Sequence, residues 1–128
     1  MILNLSDLSN ESLQSQIISQ IRAMILAGEL MTGDGLPSIR QLAREHKISV
    51  ITVQRAYENL IQQNLIHSRR GKGYFVTNLA NNKKKNMAFK HLEENLQRPL
   101  EAALNEGLEK SEIKTTILKI LEGIKNEK

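Results

Sequence analysis

LPSIRQLAREHKISVITVQRAYENLIQQNLIHSRRGKGYFV, residues 36–76, holds a short helix pattern, a tight turn, a longer helix pattern and two strand patterns joined by a basic glycine turn. Pro37 and Ser38 are a start signal. Proline stops what precedes it, and the serine oxygen can accept from the first free amides of a helix. Ile39, Leu42 and Ala43 then fall at i, i+3, i+4, one face of a short helix. Ser49 is a second N-cap. After it Val53, Ala56, Tyr57 and Leu60 repeat the spacing, with Ile61 beside them, while Thr52, Gln54, Arg55, Asn59 and Gln62 take the other faces. A short helix followed closely by a longer one with a polar outer face fits helix-turn-helix geometry. Ala43 is small where the two helices must approach, and Val53 faces back across the turn.

Downstream, Leu65–Ser68 and Tyr74–Thr77 are β-prone runs flanking Arg69-Arg70-Gly71-Lys72-Gly73. Gly71 and Gly73 give the backbone freedom that a hairpin tip needs. The tip's cations create a positive field suited to phosphate. Taken alone, such a hairpin reads as a solvated turn with incidental charge. Directly after a helix-turn-helix pattern, DNA contact is the expectation. The charge is lopsided in the same sense: residues 38–76 carry a net +5, residues before Ser38 a net −3, and residues from Thr77 on a net +2.

LPSIRQLA, ISVITVQRAYENLIQQNLI and RRGKGYFV, in that order, resemble the winged helix-turn-helix of GntR-family bacterial transcription regulators. The likeness extends upstream through QIISQIRAMILAGELMTGDGLPS and covers about residues 10–78. The short remainder, and RAY in place of a more arginine-rich recognition helix, is similar to the YtrA-like subfamily. The resemblance implies a DNA contact from Arg40 and base- or backbone-facing side chains at Ser49, Thr52 and Gln54. It also implies a wing tip at Gly71 that approaches the minor groove. Val50 and Gln54 stand where many members carry Arg, so guanine readout through those positions is not available. Gln54 can instead read adenine, and Val50 can touch a thymine methyl. Lys47 occupies a turn position where Gly is common; a left-handed Lys there costs about 1 kcal/mol relative to Gly. The expected DNA-binding set is Ser38, Arg40, Ser49, Val50, Thr52, Gln54, Arg55, Arg69, Arg70, Gly71, Lys72 and Gly73.

The flanks are simpler. Ile2, Leu3 and Leu5 suggest an extended lead that can pack on the domain. A helix is expected from about Glu11 to Ala27, with Leu13, Ile17, Ile21, Met24 and Ile25 as its apolar face, joined by Ile18 and Leu26, and with Gly28 as a left-handed stop. Glu29–Leu36 reads as a loop, in which Asp34 bonds nearby amides. Beyond a linker over Leu79–Asn82, the Lys83-Lys84-Lys85 run reads as a solvated helix start, with contact to a DNA backbone as the alternative. A fourth helix is expected from about Met87, kinked or broken at Pro99 and ended by Gly107, and a fifth capped by Ser111. Phe89, Leu92, Leu96, Leu100 and Leu104 form one apolar stripe; Ile113, Ile117, Ile120, Leu121 and Ile124 form another. Neither helix can bury its stripe alone. Pairing with the same elements of a second subunit is the expectation, and packing onto the winged domain is the alternative. The fold class expected is mainly α: a winged helix-turn-helix of three helices and a β-hairpin over 10–78, then a short two-helix dimerisation tail over 79–128.

Composition excludes several classes of function. With no Cys there is no disulfide framework and no thiolate metal site. Aromatic residues at 3% are too sparse for a single-strand stacking platform. No apolar run approaches membrane-spanning length and no signal-peptide pattern opens the chain, so a cytoplasmic, soluble protein is expected. His46, His67 and His91 lack metal-ligand spacing, and His46 falls at a helix-core position. No nucleophile-base arrangement or phosphate loop stands out, so neither an enzyme nor a cofactor is expected. The function expected is a sequence-specific, homodimeric DNA-binding regulator, a repressor acting at a near-palindromic double-stranded operator. A small-molecule effector, if used, would bind at the joint between winged domain and tail or at the dimer interface. Two rivals stand beside it. One is a winged-helix interaction module that docks a partner protein through Ile51 and Tyr57. The other is a reader of A-form RNA by shape.

Overall fold

In a computed structural model, residues 1–124 are described. Residues 1–85 form one compact unit and those from Asn86 on another. The first helix, α1, runs Leu13–Leu26 and begins where the Ser12 side chain accepts from the Ser15 amide at 3.0 Å. Ile17, Ile21 and Ile25, one turn apart, are its fully buried line. Gly28, at φ +83, ends it as expected.

Ser38 and Ser49 act as the predicted caps. Ser38 Oγ accepts from the Gln41 amide at 3.0 Å and opens α2 (Ile39–His46); Ser49 Oγ accepts from the Ile51 amide at 3.1 Å and opens α3 (Val50–Gln62). Between them Lys47 is left-handed, at φ 54 and ψ 47. The amide of Lys47 bonds Arg44 O and that of Ile48 bonds Ala43 O, which satisfies the helix's last carbonyls. Asn64 does the same for α3 at φ 61, with the Leu65 amide bonding Leu60 O. Val53, Ala56, Tyr57 and Leu60 turn inward, all fully buried, against α1, α2 and the sheet. Each large aliphatic side chain buried here contributes about 1.5–3 kcal/mol.

The sheet has three strands, one more than the sequence suggests. Gly35–Leu36 forms β1, Ile66–Arg69 β2 and Gly73–Val76 β3, all antiparallel, with β3 in the centre. The expected loop over 29–36 therefore ends in a strand whose Leu36 pairs with Tyr74. Two residues are too few to show alternation, but Leu36 precedes Pro37 and is thereby held extended. Asp34 Oδ2 accepts from the Met31 amide at 2.8 Å, as its context implied.

Two neighbours of the expected domain also enter this unit: Leu3 and Leu79 are buried. Leu3 is held by an extended lead whose backbone bonds to side chains. Gln20 Oε1 and Nε2 bond the amide and carbonyl of Asn4 at 2.8 and 2.7 Å, and Gln16 bonds both groups of Ser6 at 2.9 Å.

The next helix, α4 (Asn81–Asn105), starts ahead of the expected Met87 and takes in the lysine run in its first turns, Lys being a good helix former. Pro99 lies inside it without breaking it. Gly107, at φ +98, stops it, with the Leu108 amide bonding Ala103 O. The last helix, α5 (Lys110–Gly123), is capped by Glu109 rather than Ser111: the Glu112 carboxylate reaches back to the Glu109 amide at 2.9 Å. No residue of α4 or α5 is buried.

Candidate nucleic-acid interface

The outer face of α3 carries the expected readers. Val50, Gln54 and Arg55 are exposed at its N-terminal end, and Thr52 is half-buried beside them. Gln54 does not stand alone. Its Nε2 donates to Glu58 Oε1, one turn on, at 3.3 Å. An amide nitrogen carries two hydrogens, so this bond and a second one to a base are compatible. Glu58 thus positions Gln54, a role not assigned from sequence, although the i, i+4 spacing carries the signal.

Ser38, Arg40 and Ser49 are exposed at the starts of α2 and α3. Both serine hydroxyls are engaged as caps, so any contact they make to a ligand is shared with that duty. No acidic residue lies in the first turn of either helix, which leaves the positive ends of both dipoles unopposed.

In the wing, the Lys72 amide donates to Arg69 O at 2.9 Å and closes a four-residue turn. Gly71, at φ +73, takes the third position, where a side chain would be strained. Arg70 and Lys72 are exposed at this tip. Arg69 is placed differently. Its guanidinium carbon lies 4.7 Å from the Phe75 ring centre, so the cation sits over that ring. The sequence offered no sign of this, because Arg69 and Phe75 meet only through the β2–β3 register.

Tyr57 joins the parts. It is fully buried, its hydroxyl donates to Pro37 O at 2.8 Å, and its ring meets Tyr74 edge-on at 5.0 Å. The helix α3 is thereby fixed to the entry of α2 and to the wing. Burial, with smaller contributions from Tyr74 and Glu45, pushes the phenol well above its usual range and keeps it a donor. This removes Tyr57 from the partner-docking reading, since no surface of it is offered. Ile51 remains 58% exposed.

His46 is half-buried and structural, as its core position implied. Its Nε2 accepts from the Leu3 amide at 3.0 Å and its Nδ1 lies 3.1 Å from Leu42 O. His67 Nδ1 lies 3.0 Å from Thr77 Oγ1 on the wing. Among the described residues no group of three or more His, Asp or Glu is placed to hold a metal. No described helix is long and apolar enough to cross a membrane.

The profile of bacterial regulatory proteins of the gntR family matches residues 13–76. The chain is 35% identical over 72 residues to the uncharacterized HTH-type transcriptional regulator YhcF of Bacillus subtilis, covering 56% of this chain and 60% of that protein. It is 35% identical over 69 residues to the HTH-type transcriptional repressor YtrA of the same organism, covering 54% and 53%. The chain therefore spans little more than half the length of these relatives. Among solved structures, a GntR family transcriptional regulator from Listeria monocytogenes aligns with 90% of this chain and 98% of its own at a TM-score of 0.70 and 28% identity. The AraR DNA-binding domain in complex with operator ORX1 aligns with 59% and 93%, at a TM-score of 0.51 and 26% identity.

Proposed function

The chain belongs to the GntR family of bacterial regulatory proteins, and on that premise we propose that it is a cytoplasmic, dimeric repressor that binds a near-palindromic operator. Family membership makes it a regulator and not an enzyme. The observation that carries the reading is the exposed polar face of α3, opened by Ser49 and shared with a cationic wing in one compact unit. The AraR domain, seen bound to its operator, shares this fold.

Two recognition helices enter successive major grooves, with half-sites about one helical turn apart. Gln54, steadied by Glu58, reads adenine through N6 and N7; Val50, Thr52 and Arg55 lie beside it. Arg40 and the amides at Ser38 and Ser49 meet phosphates. Arg70, Gly71, Lys72 and Gly73 reach the flanking minor groove, while Arg69, held by Phe75, contributes charge from the sheet.

The second copy pairs through the tail. Phe89, Leu92 and Leu104 are 59%, 53% and 43% exposed, and Ile120, Leu121 and Ile124 about as much. Leu96, Leu100, Ile113 and Ile117 complete the stripes half-buried. Apolar faces this open, in a chain with a symmetric ligand, are best closed by a copy of themselves.

Selection of bound duplexes from a random pool tests the reading. The expected product is an inverted repeat containing adenine in each half. Recovery of single, non-repeated sites, or of no preferred sequence, contradicts it.

A further inference from the structure

Val50 and Ile51, the first two residues of α3, are 45% and 58% exposed. Elsewhere on the helices of this unit the large apolar side chains turn at least partly inward; the other exposed ones, Ile2, Leu8 and Met31, lie outside helices. Nothing structural asks for them. The inner face of α3 is already filled by Val53, Ala56, Tyr57 and Leu60, each fully buried. β-Branched residues do not favour a helix, and the first turn of a helix prefers acidic or polar side chains. Two adjacent methyl-bearing side chains thus form an exposed apolar surface at the start of α3.

The neighbouring chemistry identifies the ligand that surface suits. Val50 lies in line with Gln54, one turn on, and Ile51 lies in line with Arg55. The apolar pair is thus continuous with the polar readers on both sides, at the end of the helix whose first turn holds no carboxylate. A partner must offer small apolar groups set among hydrogen-bonding edges and negative charge. In the major groove of a duplex that group is the 5-methyl of thymine.

We propose that Val50 and Ile51 form a methyl-reading pair, so that thymine methyls help to specify the half-site. The proposal rests on the DNA-reading face described above and adds Ile51 to it. Two adjacent residues on a helix point about 100° apart, so the pair reaches two different methyls. One follows the line of Gln54; the other lies towards the side of Arg55.

The test uses the full chain and a duplex that it has itself selected from a random pool. Thymines of the half-site are replaced one at a time by deoxyuridine, which removes the methyl and keeps the base pair. Burial of one methyl corresponds to about a fourfold change in affinity. The parent should lose about that factor at two thymines. Ile51→Ala should become indifferent to the loss at one of them and Val50→Ala at the other, with helicity and melting unchanged because both side chains are exposed. If the selected half-site holds no thymine whose methyl matters, or if Ile51→Ala stays fully sensitive at both, the proposal is overturned while DNA reading stands. If no duplex is preferred over random sequence, the DNA-reading face itself is wrong, and this proposal falls with it.

Discussion

Lys47 sits at the turn between α2 and α3 with φ 54 and ψ 47. A side chain in that region crowds its own backbone, at a cost of about 1–2 kcal/mol that glycine does not incur. Lys47→Gly removes this strain. It also loosens the unfolded chain, which gives back about 0.4–1 kcal/mol. The side chain is exposed and makes no described hydrogen bond, so no packing is lost. The net is a stabilisation of about 1 kcal/mol, or roughly 4–8 °C in melting temperature for a unit of this size. Thermal unfolding followed by circular dichroism reads it directly. The residue contributes a positive charge beside the recognition helix, and its removal should weaken binding to any duplex and lower the salt dependence by roughly one unit. A variant that melts at or below the parent temperature would refute the strain argument. One that melts higher but binds random duplex as tightly would refute the role given to the charge.

Gln54→Ala should reduce the preference for operator over random duplex by about 1–3 kcal/mol, measured by competition titration, and Glu58→Ala should reproduce part of that loss. Arg70→Ala should weaken both duplexes about equally and lower the salt slope by roughly one unit. Tyr57→Phe should destabilise the fold by about 1–3 kcal/mol, because the Pro37 carbonyl loses its buried donor. The phenol's raised folded value has a sign as well. Stability is held below the unfolded value of about 10 and falls as pH rises past it, so the parent should lose stability there relative to Tyr57→Phe. Leu92→Glu or Ile117→Glu should leave the winged unit folded and shift the chain to monomer in sedimentation equilibrium.

The helix-turn-helix was readable because each helix carries its own punctuation. Ser38 and Ser49 cap where the sequence places them, and the lines Leu42–Ala43 and Val53–Tyr57 face inward as their spacing requires. The wing was readable from its glycines. What escaped is what depends on register or on competition between neighbours. The strand Gly35–Leu36 exists only because β3 lies beside it. Arg69 over Phe75 needs the β2–β3 pairing, and no linear pattern announces it. The cap of α5 went to Glu109 because Glu112 bonds its amide, which outcompetes the nearby serine. Of the site, Gln54 and Arg70 were visible as exposed positions, whereas Glu58 became meaningful only once its carboxylate was seen to hold Gln54.

The proposed function requires a paired, charge-steered hold on B-form duplex. Titration of the full chain against its own promoter fragment and a random fragment, at low and at moderate salt, tests it most directly. Two chains should bind each promoter duplex, with a preference for the promoter and an affinity that drops steeply as salt rises. One chain per duplex, or equal and salt-insensitive affinity for both fragments, would contradict it.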